Sequence, residues 1–362
     1  MAKRVYNFNP GPSTLPLDVL KIVQEEMLDY RGTGMSVMEM SHRAPEFDEI
    51  NEAAIALTRE LMGLDDKYHV LFLQGGASTQ FAMIPMNFAH DGKQGAYVDT
   101  GSWSAKAIKE ANTLGGCHVA GSSKKDEYKY IPDLAGLDVP AGSAYLHITS
   151  NNTIKGTQWH KFPEVAGVPL VADMSSDILS WQAPFKKFAM IYAGAQKNLG
   201  PSGVTLVVMH DDFLKKCKDG NPTMLDYRTH AEKKSLYNTP PTFGIYIIRL
   251  VLQWVKNQGG LAAVEKVNRA KQERIYQLLD LHPDFFKGTA RADSRSWMNL
   301  TFRLPSEDLE KKFVSEAKAA GFIGLKGHRS VGGIRVSLYN AMTLEGVEKL
   351  AQFMLDFKKA NG

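Results

Sequence analysis

Between residues 69 and 210 the chain alternates short β-branched or apolar runs with longer segments of helical period. The runs are His69–Leu73, Gly95–Val98, His118–Ala120, Ala144–Ile148, Pro169–Ala172, Met190–Ala193 and Val204–Val208. Phe81, Ile84 and Phe88 fall at i, i+3 and i+7, so a helix is predicted after the first run, and Pro85 predicts a kink in it. Strands and helices in alternation predict an α/β layer with a mostly parallel, seven-stranded sheet. The last two runs are joined by about ten residues without a helical pattern, too short a crossover for parallel neighbours, so that pair is predicted antiparallel.

Beyond residue 240 the pattern changes. Phe243, Ile247, Leu250, Val251 and Trp254 form a helical stripe, Gly259-Gly260 interrupts it, and a second amphipathic segment runs to about Leu281. A strand-like Trp297–Phe302, a polar helix, a Gly-rich strand region over 321–339 and a closing helix marked by Leu344, Val347, Leu350, Met354 and Phe357 follow. These features predict two units: a large one over 16–258, and a smaller α+β one over 259–362 that also takes in the N-terminal segment 1–15.

Composition narrows the possibilities without changing this outline. Apolar types make up 44% and charged types 23% of 362 residues, which excludes a disordered or fibrous chain. The formal net charge of +4 is spread over short mixed runs such as Lys124-Lys125-Asp126-Glu127, so neither a nucleic-acid surface nor a membrane partner is expected. Cys117 and Cys217 are too few and too far apart for a ligand cluster, and no metal is assigned. The opening residues lack the apolar stretch of a secretory signal, and a cytoplasmic location is expected.

Several familiar signatures are missing. Gly32-Thr33-Gly34-Met35-Ser36-Val37 lacks the third glycine of a dinucleotide fingerprint, and no P-loop, zincin or nucleophile-elbow motif occurs. What remains are polar residues just past strand ends, where α/β proteins keep their sites. Gln74-Gly75-Gly76-Ala77-Ser78-Thr79 follows the first strand and opens a helix, an arrangement open to a tight turn or to a phosphate on free backbone N–H groups. Asp173 ends a buried run, either as a turn residue or as a carboxylate held against a cation. Lys197 sits among small residues between two apolar strands, a setting that desolvates an amine and makes it nucleophilic. An acid at one strand end and a lysine on a later turn are what pyridoxal phosphate chemistry requires.

Here the residues resemble a family. Ala193-Gly194-Ala195-Gln196-Lys197-Asn198 with Gly200-Pro201-Ser202-Gly203 is similar to the lysine region of the class V aminotransferases, which are fold-type I pyridoxal phosphate enzymes. Asn7–Pro12 with Leu15-Pro16, Gly32–Ser36 to Ser41-His42-Arg43, Asn238–Phe243 and His328–Ala341 resemble members that act on a phosphorylated keto acid. The resemblance implies pyridoxal 5'-phosphate as cofactor and amino transfer between glutamate and 3-phosphohydroxypyruvate, giving phosphoserine and 2-oxoglutarate in serine synthesis. It extends in many bacteria to a four-carbon phosphohydroxy substrate on the route to the cofactor.

Carried over by position, the resemblance makes Lys197 the Schiff-base lysine and proton shuttle, and Asp173 the partner of the ring nitrogen. Trp103 stacks on the ring, Thr153 bonds its phenolic side, and Gly76, Ala77 and Gln196 hold the phosphate. Asn238 and Thr239 reach that phosphate from a second subunit, implying a homodimer; their other reading is capping of the helix near Thr242. Arg335 grips the α-carboxylate, and His42 and Arg43, with His328 and Arg329 from the second subunit, surround the distal anion. Ser78 departs from the pattern, since many members carry arginine there. Two alternatives stay open: an enzyme of the same fold acting on an unphosphorylated amino acid, and a non-catalytic dimeric binding protein.

Overall fold

A computed structural model describes residues 4–362. All seven apolar runs become strands of one sheet: β1 (Tyr68–Leu73), β2 (Gly95–Asp99), β3 (Cys117–Ser122), β4 (Tyr145–Thr149), β5 (Leu170–Asp173), β6 (Met190–Gly194) and β7 (Thr205–His210). Their order is β1-β7-β6-β5-β4-β2-β3. Neighbours from β6 through β3 are parallel, and β7 runs antiparallel to both β6 and β1. The short link between β6 and β7 has the predicted effect, and β1 consequently points the same way as the parallel strands.

Because side chains alternate across a strand, each strand feeds two cores. Phe72, Val98, Ile148, Ala172, Ile191 and Leu206 face one hydrophobic cluster, which helices Pro45–Met62 and Thr242–Asn257 complete. Leu71, Tyr97, Val171, Tyr192 and Val207 face the other, with helices Gly76–Phe88 and Ser102–Thr113 above them. Both faces are covered, so the strands read as near-continuous apolar runs rather than alternating ones. The helix over Gly76–Phe88 continues through Pro85, which occupies its last turn and leaves only three helical residues beyond it. Helix Thr242–Asn257 buries Ile245, Tyr246, Ile247, Ile248 and Leu252 as well as Leu250 and Val251, so it is enclosed on more than the single stripe. Residues 17–62, which carry none of the runs above, supply helices Leu17–Glu25 and Pro45–Met62.

Past Gly259 the chain builds a third core around Ile275, Leu300, Phe302, Phe313, Val336, Val347 and Met354, beside a three-stranded antiparallel sheet of Lys287–Gly288, Asn299–Arg303 and Ile334–Ser337. The helix Gly260–Leu281 spans two cores: Leu261 and Val264 pack with the large sheet, and Ile275, Leu278 and Leu279 with the small one. The N-terminal segment acts as a strap. Tyr6–Asn7 pairs in parallel with Phe322–Ile323, and Phe8 enters the third core.

Candidate active site

The topology sends the carboxyl ends of β1, β2, β4, β5 and β6 to one edge of the sheet. Strand order reverses around β2, whose neighbours are β3 on one side and β4 on the other, and such switch points open a crevice at the strand ends. Residues 74–79, Trp103, Thr153, Asp173 and Lys197 all follow strands that end there.

Asp173 closes β5, is 5% exposed, and accepts a hydrogen bond from the Ser175 N–H at 2.9 Å. Ser175 is itself fixed, its hydroxyl accepting from the Gly194 N–H at 3.0 Å. Burial pushes the Asp173 carboxyl up from its ordinary value, and the Ser175 hydrogen bonds and the Lys197 charge oppose that shift. Behind it lies a second buried acid, Asp177, raised to about 7 by burial and further by Asp173. Lys197 donates to the Thr153 hydroxyl at 2.8 Å. Burial lowers its amine to about 8; Asp173 and Asp177 work against that shift and Arg335 works with it. Asp173 and Lys197 therefore sense each other's charge while bonding to different partners.

Thr153 is the junction of the site. Its hydroxyl meets Lys197, and its carbonyl accepts from Arg335 Nη1 at 3.4 Å. Arg335 lies on the strand Ile334–Ser337, is 7% exposed and leaves its Nε without a partner. Trp103 opens the helix after β2, with its ring centre 5.8 Å from Lys197 Nζ and its indole Nε1 buried and unpartnered. Gly101 permits this approach, since a Cβ there would stand 2.6 Å from Asn152 Oδ1.

At the end of β1, helix Gly76–Phe88 begins without a side-chain cap. Gly75 is left-handed (φ 86°), and a Cβ on it would meet Thr79 Oγ1 at 1.9 Å, so only glycine forms this turn. The first-turn N–H groups, at Gly76 and Ala77, are met by no side-chain cap, an arrangement that can receive an anion. Ser78 is exposed beside it.

Not every predicted residue joins this cluster within one chain. His328 does: burial first, then the charges of Arg335, Arg329 and Lys106, hold its imidazole below its ordinary value. Its Nδ1 is tied to the Ser330 hydroxyl at 2.7 Å. His42 and Arg43 lie on a turn leading into helix Pro45–Met62, with His42 buried and its Nε2 unpartnered, and Arg43 exposed. That helix packs on Thr242–Asn257, which places the turn on the side of Asn238 and Thr239. Gln74 Nε2 donates to the Thr239 carbonyl at 3.3 Å, and the helix that begins at Thr242 has Pro241 as its cap residue, so Asn238 and Thr239 do not cap it. His328 thus senses its own chain's Arg335, and no hydrogen bond or ion pair among the described residues joins His42 or Arg43 to either.

Residues that were given no role in the sequence complete the frame. Asn198, next to Lys197, accepts from the Asn340 N–H at 3.0 Å and donates to the Ile178 carbonyl at 3.1 Å. Asn340 also donates to the Leu179 carbonyl and accepts from Asn268. Lys271, fully buried, donates to the carbonyls of Leu338, Tyr339 and Met342 and braces the turn behind Arg335. The strap arrives from the other side: Ser13 N–H donates to the Gln196 carbonyl, the Ser13 hydroxyl to the Lys197 carbonyl, and Tyr339 OH to the Pro10 carbonyl. Asn198, Asn340, Tyr339 and Pro10 lie inside segments that carried the resemblance, whereas Asn268, Lys271 and Ser13 carried no signal in the sequence.

A buried carboxylate, a desolvated amine, an indole face and a free helix N-terminus at one switch point define an aminotransferase-type crevice. The chain matches the aminotransferase class-V family over residues 5–350 and belongs to it, so it is a pyridoxal-phosphate-dependent transaminase. Its curated relatives include the phosphoserine aminotransferases of Halalkalibacterium halodurans, 56% identical over 98% of each chain, and of Lysinibacillus sphaericus, 56% identical over 99% of each. Among solved structures, phosphoserine aminotransferase from Bacillus circulans subsp. alkalophilus superposes with a TM-score of 0.97 at 52% identity, covering 99% of both chains. The pyridoxal-phosphate-bound enzyme of Trichomonas vaginalis superposes at 0.92 with 37% identity, covering 97% of this chain and all of that one. No helix among the described residues is long and apolar enough to cross a membrane.

Proposed function

We propose that the chain catalyses reversible amino transfer between L-glutamate and 3-phosphohydroxypyruvate, giving O-phospho-L-serine and 2-oxoglutarate. The observation that carries this reading is full-length similarity at 56% identity to phosphoserine aminotransferases. A cleft rich in cations and a desolvated lysine supports it.

The residues fit the cofactor. The free N-terminus at Gly76 and Ala77, with Gln196, would hold its phosphate, Asp173 its ring nitrogen, Thr153 the phenolic side and Trp103 one face, its ring centre being 5.8 Å from Lys197 Nζ. Pyridoxal phosphate, when bound, supplies an aldehyde to receive the amino group and a ring to accept electrons from the α-carbon.

The chain's own groups do the rest. Lys197 Nζ, with its pKa near 8, takes the proton from the substrate α-carbon and returns it on the other side of the transfer. Asp173 would stay anionic opposite a protonated ring nitrogen, which would join the Ser175 hydrogen bonds and the Lys197 charge in offsetting its burial. Arg335 clamps the α-carboxylate common to both amino acids, and its unpartnered Nε is among the donors left for it. The distal pocket accepts a carboxylate or a phosphate through His42, Arg43, His328 and Arg329.

A homodimer in the cytoplasm, with sites shared between subunits, completes the reading. His328 and Arg329 then act beside their own chain's Arg335, and His42, Arg43, Asn238 and Thr239 come from the partner. This reverses the assignment of the two His-Arg pairs suggested by resemblance, and it rests on the charge His328 feels from Arg335. The division into 16–258 and 259–362 with 1–15 is part of the same proposal, supported by the separate third core. Purified protein with pyridoxal phosphate, glutamate and 3-phosphohydroxypyruvate should form phosphoserine; equal or better turnover of unphosphorylated serine or alanine would refute the substrate assignment.

A further inference from the structure

One cation near the crevice has no role in the reading above. Lys106 lies one helical turn after Trp103, and residues three apart on a helix share a face. Its ammonium sits 4.2 Å from the centre of the Trp103 ring, the same ring that lies 5.8 Å from Lys197 Nζ. Glu110 stands four residues further along the helix at a spacing that commonly gives an ion pair, yet Lys106 turns to the indole. The residue is exposed, so its position over the ring leaves the ammonium free to move.

The surroundings are one-sided in charge. Arg335 is buried with only the Thr153 carbonyl as acceptor, and His328 bonds a neutral serine hydroxyl. Lys106, Arg329 and Arg335 are the charges that bear on His328, and all are positive. Cations that gather without a carboxylate repel one another, and an anionic ligand removes that cost.

We infer that Lys106 is a specificity-determining residue for the phosphorylated substrate, its ammonium moving from the Trp103 ring to the distal phosphate. The inference rests on the proposed phosphoserine reading. A phosphate monoester carries a charge of about −1.5 to −2 at neutral pH and a carboxylate −1, so one added cation favours the phosphate more strongly. Lys106 is thereby the residue that separates the two amino acids, which share every contact to their α-carboxylates.

The test compares Lys106→Met and Lys106→Arg holoenzymes with wild type, using phosphoserine, glutamate and inorganic phosphate as a competing anion. Lys106→Met should raise the KM for phosphoserine about tenfold and weaken phosphate inhibition by a similar factor, equivalent to about 1.4 kcal/mol. The KM for glutamate should move by less than about threefold, and Lys106→Arg should recover most of the loss. Equal rises for both substrates, or a change confined to cofactor affinity and the visible spectrum, would assign Lys106 to support of Trp103 and overturn the inference. An unchanged KM for phosphoserine overturns it too and leaves the function standing. A wild-type enzyme that fails to turn over phosphoserine overturns the function, and the inference with it.

Discussion

The two walls of the crevice are built on opposite principles. On the sheet side the polar groups are paired in two sets, Asp173 with Ser175 and Gly194, and Lys197 with Thr153. On the opposite side, Arg335, Arg329 and Lys106 are positive groups without carboxylate partners that hold the His328 imidazole below its ordinary value, and Arg335 keeps a buried Nε unbonded. A satisfied polar network is rigid, and an unsatisfied buried donor costs about 1–3 kcal/mol until a ligand arrives. The first wall suits a group held through many turnovers, and the second suits anions that come and go.

The largest effect on this contrast comes from Lys197→Ala, which removes the amine that links the walls through Thr153. Turnover should fall at least about a thousandfold, and the visible absorbance of bound cofactor should vanish. Survival of the band and of substantial turnover would place the chemistry elsewhere.

Asp173→Asn keeps the shape and an oxygen for the Ser175 N–H but removes the charge. A loss of about 10²–10³ in kcat is expected, with the melting temperature nearly preserved, as befits an electrostatic rather than a packing role. A collapse in stability without a specific loss of kcat would count against it.

On the cationic wall, Arg335→Lys should raise the KM values of glutamate and phosphoserine together, by roughly 10- to 100-fold, because a bidentate clamp on a shared carboxylate becomes a point charge. Arg43→Ala should raise the KM of phosphoserine far more than it weakens cofactor binding. Reversal of those two patterns would exchange the roles of the residues.

A smaller effect concerns pH. Only the neutral amine attacks an aldehyde, so covalent capture of added pyridoxal phosphate by cofactor-free protein should speed up as pH rises and level off above a midpoint near 8. An exposed lysine would keep accelerating towards its ordinary value of 10.5. Rapid-mixing absorbance across pH 6–10 distinguishes these profiles.

Most of the sheet was legible because its strands are buried on both faces and read as unbroken apolar runs. The β6–β7 reversal followed from the short link alone. The sheet-side wall was legible for a related reason: Asp173 ends such a run and Lys197 lies on the link between two of them, where a charge stands out. Other features carry no local pattern. The strap pairs two residues, Tyr6 and Asn7, with two others more than 300 positions away, and periodicity cannot register so short a strand. The bonds among Asn198, Asn268 and Asn340 join polar residues from three elements, and nothing near any one of them announces the others. Asp177 and Lys106 look like ordinary surface charges until the fold buries the first and sets the second on Trp103.

The strap also bears on how the protein is made. Residues 6–13 are made well before their partners: Ser13 bonds Lys197, 184 residues on, and Pro10 bonds Tyr339, 329 residues on. Contacts at such separation form late in folding. A nascent chain halted before residue 322 thus has all seven strands of its sheet and its amine, but neither Arg335 nor the pairing that seats the strap against Lys197. The pocket therefore waits on residues made more than 300 positions after the strap.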